Sequence, residues 1–185
     1  MKKNYKELLS NITTFIFDVD GVFTDGSVLI TSNGELLRKM SVKDGFALKT
    51  AIQKGYNVCI ITGGTNEGVK ERLKGLGVTD FYMGAHHKQD PLEEYLDIYN
   101  IDPQTVVYMG DDLPDIPPMK MVALATAPQN AVPEVKAISD YVSHKNGGDG
   151  CVRDIIEQVL KVRGDWNDNF SAKNVGSEDR NFFDK

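Results

Sequence analysis

Cysteine is nearly absent from this 185-residue chain. Cys59 sits in an apolar strand-like run and Cys151 near a helix start, without the spacing of a metal site, so both read as reduced thiols with no chemistry of their own. Positive charge is also scarce: 21 Lys and Arg face 27 Asp and Glu, a net charge of −6. That balance argues against nucleic acid or an anionic membrane as the main partner. No apolar run reaches the length of a membrane span, and the charged opening Met1-Lys2-Lys3-Asn4-Tyr5-Lys6-Glu7 leads into no signal-type core. The expectation is a cytoplasmic protein with no membrane attachment. His86 and His87 lack the spaced carboxylate or third ligand of a zinc site, which leaves them surface or supporting roles.

What the chain does have is a run of strand formers that ends abruptly in acids: Thr14-Phe15-Ile16-Phe17-Asp18-Val19-Asp20-Gly21-Val22. Alternation along an extended backbone puts Asp18 and Asp20 on one side, where two anions crowd unless a cation or a shared proton relieves them. A hard divalent ion such as magnesium, held by one or two carboxylates and a substrate phosphate, makes phosphoryl chemistry the first reading. A helix-loop-helix calcium loop also starts Asp-x-Asp, but Val22 and Phe23 stand where it needs an oxygen ligand and a glycine. Capping of a turn at the strand end is the remaining plain reading of these two acids.

The rest of the chain places further chemistry at strand ends. A short polar helix over 5–9 precedes the first strand. After it, segments 27–32 and 35–40 flank Asn33-Gly34, the signal of a two-residue hairpin turn. From Asp44-Gly45 onward the pattern alternates. Helices are expected through Phe46 to Ile52 and over 66–76, 88–99, 115–121, 132–138 and 151–163, with strands over 57–61, 80–83, 105–109, 122–125 and 141–142. Alternating strands and helices predict an α/β fold, a Rossmann-like three-layer sandwich around a central parallel sheet, with ligands beyond the carboxyl ends of the strands. Those ends carry Asp18-Val19-Asp20, Thr62-Gly63-Gly64, His86-His87-Lys88 and Gly110-Asp111-Asp112-Leu113-Pro114-Asp115. One domain is expected over 1–166, and the polar, aperiodic stretch 167–185 reads as a flexible tail.

These four motifs, in this order, resemble the haloacid dehalogenase superfamily of aspartate-nucleophile phosphotransferases over residues 13–165. The resemblance implies Asp18 as nucleophile, Asp20 as general acid and base, Thr62 as a hydroxyl to the phosphoryl oxygens and Lys88 as the cation beside the nucleophile. It further implies magnesium on Asp18, Asp20 and Asp111, with Asp112 and Asp115 supporting, and substrate contacts from Thr62, Gly63, Lys88 and Arg153. Neither stretch that could hold a cap domain, 21–61 or 63–87, has room for more than the hairpin, single helices and a strand. Capless members close the site with a neighbouring subunit or use a large substrate.

The hairpin after the acids, Asp44-Gly45 and the late Gly147-Gly148-Asp149-Gly150-Cys151-Val152-Arg153-Asp154 together resemble the phosphatases of 3-deoxy-D-manno-octulosonate 8-phosphate. That closer resemblance implies a sugar-phosphate substrate, a role in lipopolysaccharide synthesis, and a homotetramer in which hairpins pack together. The chain departs from the commonest pattern at Gly64, where an arginine often stands, and at Asp149, where a basic residue is common. Both changes remove cations that could grip a sugar carboxylate. Lys145, Arg153, Lys70 or Arg72 are candidates to compensate, and the 2-keto-3-deoxy-nononate 9-phosphate phosphatases are the alternative within the family. A phosphate-binding scaffold subunit is the alternative outside enzymes, against which the presence of both Asp18 and Asp20 argues.

Overall fold

A computed structural model describes residues 4–166; the tail expected over 167–185 lies outside them. The strands are β1 (Thr14–Phe17), β2 (Leu29–Ile30), β3 (Leu36–Leu37), β4 (Asn57–Thr62), β5 (Asp80–Met83), β6 (Val106–Met109), β7 (Leu124–Ala127) and β8 (Tyr141–Val142). The helices are α1 (Tyr5–Leu8), α2 (Val42–Gln53), α3 (Glu67–Lys74), α4 (Gln89–Tyr99), α5 (Ile116–Met119), α6 (Pro133–Ile138) and α7 (Cys151–Arg163). Six strands form one sheet in the order β5-β4-β1-β6-β7-β8, each pair parallel.

Alternation along β1 builds the layers. Phe15 and Phe17 enter a core with α2, α3 and α7, while Ile16 enters a second core with α4, α5 and α6. Both faces are buried, so the central strands read as continuous apolar runs. The chain lays β4 and β5 on one side of β1, then crosses to β6, β7 and β8 on the other. The carboxyl end of β1 therefore lies at the point where strand order reverses, the place where open parallel sheets bind ligands.

Three expectations shift. β7 starts at Leu124 rather than at residue 122, because pairing with β6 begins at Val107↔Leu124 while Val122 packs under the sheet. The helix expected over 115–121 is shorter: a 3-10 turn over Leu113–Asp115 precedes α5. The hairpin pairs only two residues a side, Leu29↔Leu37 and Ile30↔Leu36, and its loop is longer than two residues. Gly34 N–H donates to Thr31 O and Gly34 holds φ +85°, the form of a three-residue loop that ends in a left-handed glycine.

Asp44, read from the sequence only as part of an Asp-Gly pair, is buried inside the first turn of α2. Its Oδ2 accepts from Gly150 N–H at 3.2 Å and its Oδ1 from Arg153 N–H at 2.7 Å, which ties α2 to the start of α7. Burial pushes this carboxyl up to about 6, against the pull of those two amides. Because the folded value lies above the unfolded 3.8, the stability from this titration is complete below 3.8 and is lost as pH rises through about 6. Asp44→Asn leaves one acceptor for two amides and turns an NH2 against the other, so denaturant unfolding should register a loss of about 1–3 kcal/mol. An unchanged midpoint would show that the clamp does not hold α7.

Candidate active site

The loop after β1 is shaped around one carbonyl. The amides of Val22, Phe23 and Thr24 all converge on Val19 O at 2.9–3.2 Å, and Thr24 Oγ1 accepts from Gly21 N–H and Gly26 N–H. Gly21 turns at φ +87°, and a Cβ there would lie 2.0 Å from Asp111 Oδ2, so any side chain would displace that acid. The β4 exit is fixed by Thr62, whose Oγ1 accepts from Gly64 N–H and whose carbonyl accepts from Ala85 N–H at 2.9 Å. That last bond draws the β5 exit alongside and delivers Lys88 at the head of α4, where its side chain makes no capping bond.

Lys88 Nζ lies 2.9 Å from Asp18 Oδ2 and 2.7 Å from Asp115 Oδ1, all three side chains being buried. Asp115 is fully engaged: Oδ1 also accepts from the buried Tyr108 hydroxyl at 2.9 Å, and Oδ2 from the amides of Asp111 and Asp112. It orients Lys88 and the turn carrying Asp111, and has little left to offer a metal. Asp18 Oδ1 and Asp111 Oδ1, by contrast, are buried without any hydrogen-bond partner. One oxygen from each of Asp18, Asp111 and Asp115 falls within 4.8 Å of the others. Three carboxylates against one ammonium leave two negative charges, and two of the three acids carry an oxygen without a partner. That donor set fits a hard divalent cation held by Asp18 and Asp111.

The electrostatics agree. Burial and the Asp115 carboxylate push Asp18 up to about 7 against the pull of Lys88. Burial, Asp18 and Asp115 likewise push Asp111 up to about 7. Burial alone would lower Lys88, but the Asp18 and Asp115 charges outweigh it and raise it. The Tyr108 phenol is held well above its ordinary value by burial and the neighbouring acids, and so serves as a neutral donor.

A cavity of about 370 Å³ opens over this cluster, lined by Asp18, Asp20, Thr62, Gly63, Gly64, His86, Lys88, Asp111, Asp112 and Asp115 among others. Two expected residues stand elsewhere. Asp20 lines the cavity but is not in the acidic cluster; its carboxylate faces Arg38, whose Nε and Nη2 donate at 3.0 and 3.3 Å. The protein offers no support for an Asp20 side-chain metal ligand. Arg153 lies outside the cavity: it pairs with Glu157 at 3.0 Å and stacks on Phe46 and Trp166, because α7 packs flat on α2. Asp112 caps the turn after β6 through Leu113 N–H. His86 lines the cavity and His87 does not. Tyr108, Arg38 and Thr24 went unread: Tyr108 hides in a strand run and Arg38 sits on a hairpin with nothing local to link it to Asp20.

Residues 80–155 match the haloacid dehalogenase-like hydrolase family. Over 154 residues the chain is 38% identical to the 3-deoxy-D-manno-octulosonate 8-phosphate phosphatase of Salmonella typhi, covering 83% of this chain and 82% of that protein. The chain belongs to the haloacid dehalogenase-like hydrolases. Among solved structures, this hydrolase is similar to the 3-deoxy-D-manno-octulosonate 8-phosphate phosphatase of Yersinia pestis, with TM-score 0.86 and 33% identity over 88% of each chain. It is also similar to the Moraxella catarrhalis phosphatase of the same name, in complex with magnesium ion, phosphate ion and KDO, at TM-score 0.85 and 30% identity over 89% of this chain and 94% of that one.

With Asp18 and Asp111 raised to about 7, a cation entering this hydrolase must displace protons. Magnesium affinity should therefore fall as pH drops below 7, by about tenfold per pH unit for each carboxyl that must lose a proton and so by up to about a hundredfold for the two. Titration calorimetry in buffers of different ionisation heat should read protons released on binding. Affinity that is flat from pH 5.5 to 8 would contradict this electrostatic account.

Proposed function

We propose that this hydrolase is a magnesium-dependent phosphatase that cleaves 3-deoxy-D-manno-octulosonate 8-phosphate to the free sugar acid and phosphate. The observation that carries the reading is one acidic cluster at the cavity in which Asp18 and Asp111 each keep an oxygen without a partner while Lys88 holds the other oxygen of Asp18. The relatives named above for this ester, one of them holding magnesium, phosphate and KDO, support the substrate.

Asp18, which lines the cavity, is the nucleophile: one of its carboxylate oxygens attacks phosphorus as the bond from phosphorus to the sugar oxygen breaks, and water hydrolyses the resulting aspartyl-phosphate. Asp18 and Asp111 would hold magnesium, which would supply positive charge against the transferring phosphoryl group. Lys88 and the Thr62 hydroxyl face the same group from the β5 and β4 exits. Asp20 at the cavity mouth gives a proton to the leaving alkoxide and takes one from the attacking water. Asp115 and Tyr108 position Lys88. One phosphatase domain spans 1–166, and its product is used in lipopolysaccharide core synthesis in the cytoplasm. No helix among the described residues is long and apolar enough to cross a membrane.

The active unit is a homotetramer. Val28, Leu29, Ile30, Leu36 and Leu37 are all exposed on a ribbon with two paired residues a side, and such a ribbon is marginal in water by itself. Packing hairpins together would cover these side chains and shelter a site that has no cap.

Phosphate release from a panel of sugar phosphates tests the reading. The eight-carbon ulosonate ester should be preferred, with the nine-carbon analogue as the competing result, and chelator should abolish turnover. Asp18→Asn should lower kcat by at least about 10³-fold with the fold intact. Magnesium-independent turnover would remove the metal from this mechanism, and no turnover on any ester would return the chain to the scaffold alternative. Leu29→Asp with Leu36→Asp should convert a tetramer to smaller species in size exclusion with light scattering, whereas a monomeric wild type with full sugar-phosphatase activity would remove the tetramer.

A further inference from the structure

Arg38 is the feature that the reaction as described leaves unused. It stands one residue beyond β3, at the base of the hairpin, and its side chain is only 10% exposed. Nε and Nη2 reach both oxygens of Asp20 in a two-bond fork, at 3.0 and 3.3 Å, while Nη1 donates to Leu36 O at 3.1 Å. All three nitrogens are thus committed, two to the acid and one to the hairpin backbone. Leu36 O accepts a second bond, at 2.9 Å, from Asn66 Nδ2. Asn66 in turn caps α3 just after the Thr62 loop by accepting from Val69 N–H at 3.0 Å.

The base of the hairpin is therefore tied to two strand exits, to Asp20 after β1 through the Arg38 fork and to Asn66 after β4 through Leu36 O. Among the described residues, the other side-chain bond to Asp20 comes from Thr24 Oγ1, at a long 3.4 Å. A guanidinium fork fixes both the direction and the plane of a carboxylate, which a single ammonium or hydroxyl does not. Gly64 leaves this side of the cavity open: a Cβ there would come within 3.3 Å of Asp20 Oδ2. Position 64 supplies no side chain to hold Asp20, and Arg38 does so from the hairpin.

We propose that Arg38 is a positioning residue for the reaction: anchored on the hairpin at Leu36, its guanidinium sets where the Asp20 carboxylate stands, and the hairpin thereby governs proton transfer to the leaving group. The inference rests on Asp20 acting as the general acid. It makes a ribbon that lies outside the sheet part of the proton-transfer geometry. Proton transfer by a placed acid is worth about 10²–10⁴-fold, and is felt most by esters whose leaving group is a poor one. Misplacing the acid should forfeit part of that factor while leaving nucleophilic attack on an activated ester nearly intact.

The experiment compares kcat on 4-nitrophenyl phosphate with kcat on 3-deoxy-D-manno-octulosonate 8-phosphate for the full chain and for Arg38→Gln, Arg38→Lys, Asp20→Asn and Arg38→Gln with Asp20→Asn. Melting curves and light scattering accompany each variant. Arg38→Gln should lose about tenfold or more on the sugar ester and less than about threefold on the activated one. Arg38→Lys keeps the charge without the fork and should fall between Arg38→Gln and the wild type. In the Asp20→Asn background, Arg38→Gln should add no further selective loss, since the two changes act through one carboxylate.

Selective loss in Asp20→Asn but equal loss on both esters in Arg38→Gln would overturn the role of Arg38 and leave the acid assignment standing. A full further loss in the double variant would also overturn it. Absence of leaving-group selectivity in Asp20→Asn itself would instead remove the acid assignment, and the positioning role with it. Should Arg38→Gln not fold, Arg38→Lys decides: wild-type selectivity without a fork rejects the inference.

Discussion

The Lys88 ammonium, wedged between Asp18 and Asp115, is the interaction on which the site depends. Burying one cation between two carboxylates is stable only when the remaining lone pairs are satisfied, and removing one partner from such a set costs on the order of 3–5 kcal/mol. Asp115 meets that condition with Lys88, Tyr108 and two backbone amides. Asp18 does not: one oxygen is held by Lys88 and the other is left bare. The asymmetry separates two chemically identical side chains into a support and a reactive group. A carboxylate with every lone pair occupied can neither attack nor ligate, whereas one with a bare buried oxygen is under electrostatic pressure to find a cation or an electrophile.

Backbone contact transmits this arrangement outward. A Cβ at Gly147 would lie 1.8 Å from Gly21 O, so the late glycine loop packs directly on the turn that follows Asp20. Gly148 N–H donates to Val22 O at 2.9 Å, and Gly150 N–H to Asp44. The acid turn, the glycine loop, α7 and α2 thus form one connected set without side chains between the loops. Small residues are needed there because the separation is that of two backbones in contact. Within the chain the glycine-rich stretch is a spacer that lets α7 clamp the turn after β1.

Much of this was legible because the signals are local. An apolar run that stops at Asp18-Val19-Asp20 announces a buried strand delivering acids, and the same logic places Thr62, Lys88 and Asp111 at strand exits. What was not legible depends on groups that meet only in space. Asp44 is 106 residues from Gly150, and nothing near it in sequence signals a helix N-terminus to hold. Arg153 follows the glycine loop and so reads as a substrate contact. The amphipathic packing of α7 on α2 turns its guanidinium onto Phe46 and Trp166 instead. The start of β7 was missed by two residues because Val122 and Leu124 are equally apolar, and only pairing with Val107 distinguishes them.

The hairpin brings these two kinds of information together. Its exposed leucines are visible in the sequence, but its ties to the domain are not: two bonds converge on Leu36 O, and the fork holds Asp20. A ribbon with so few internal bonds takes its position from what it touches at either end. At its base it touches the proposed acid; over its length it offers apolar side chains on both faces, with Leu29 67% and Ile30 69% exposed. Any contact that orders those side chains restricts Arg38, and through Arg38 the Asp20 carboxylate. On the proposed reading, association between subunits and protonation of the leaving group are therefore linked by a covalent path of two peptide bonds, from Leu36 to Arg38. On that reading a capless phosphatase of this design would need no separate lid to sense assembly, because the element that a neighbour would bury is also the element proposed to aim the acid.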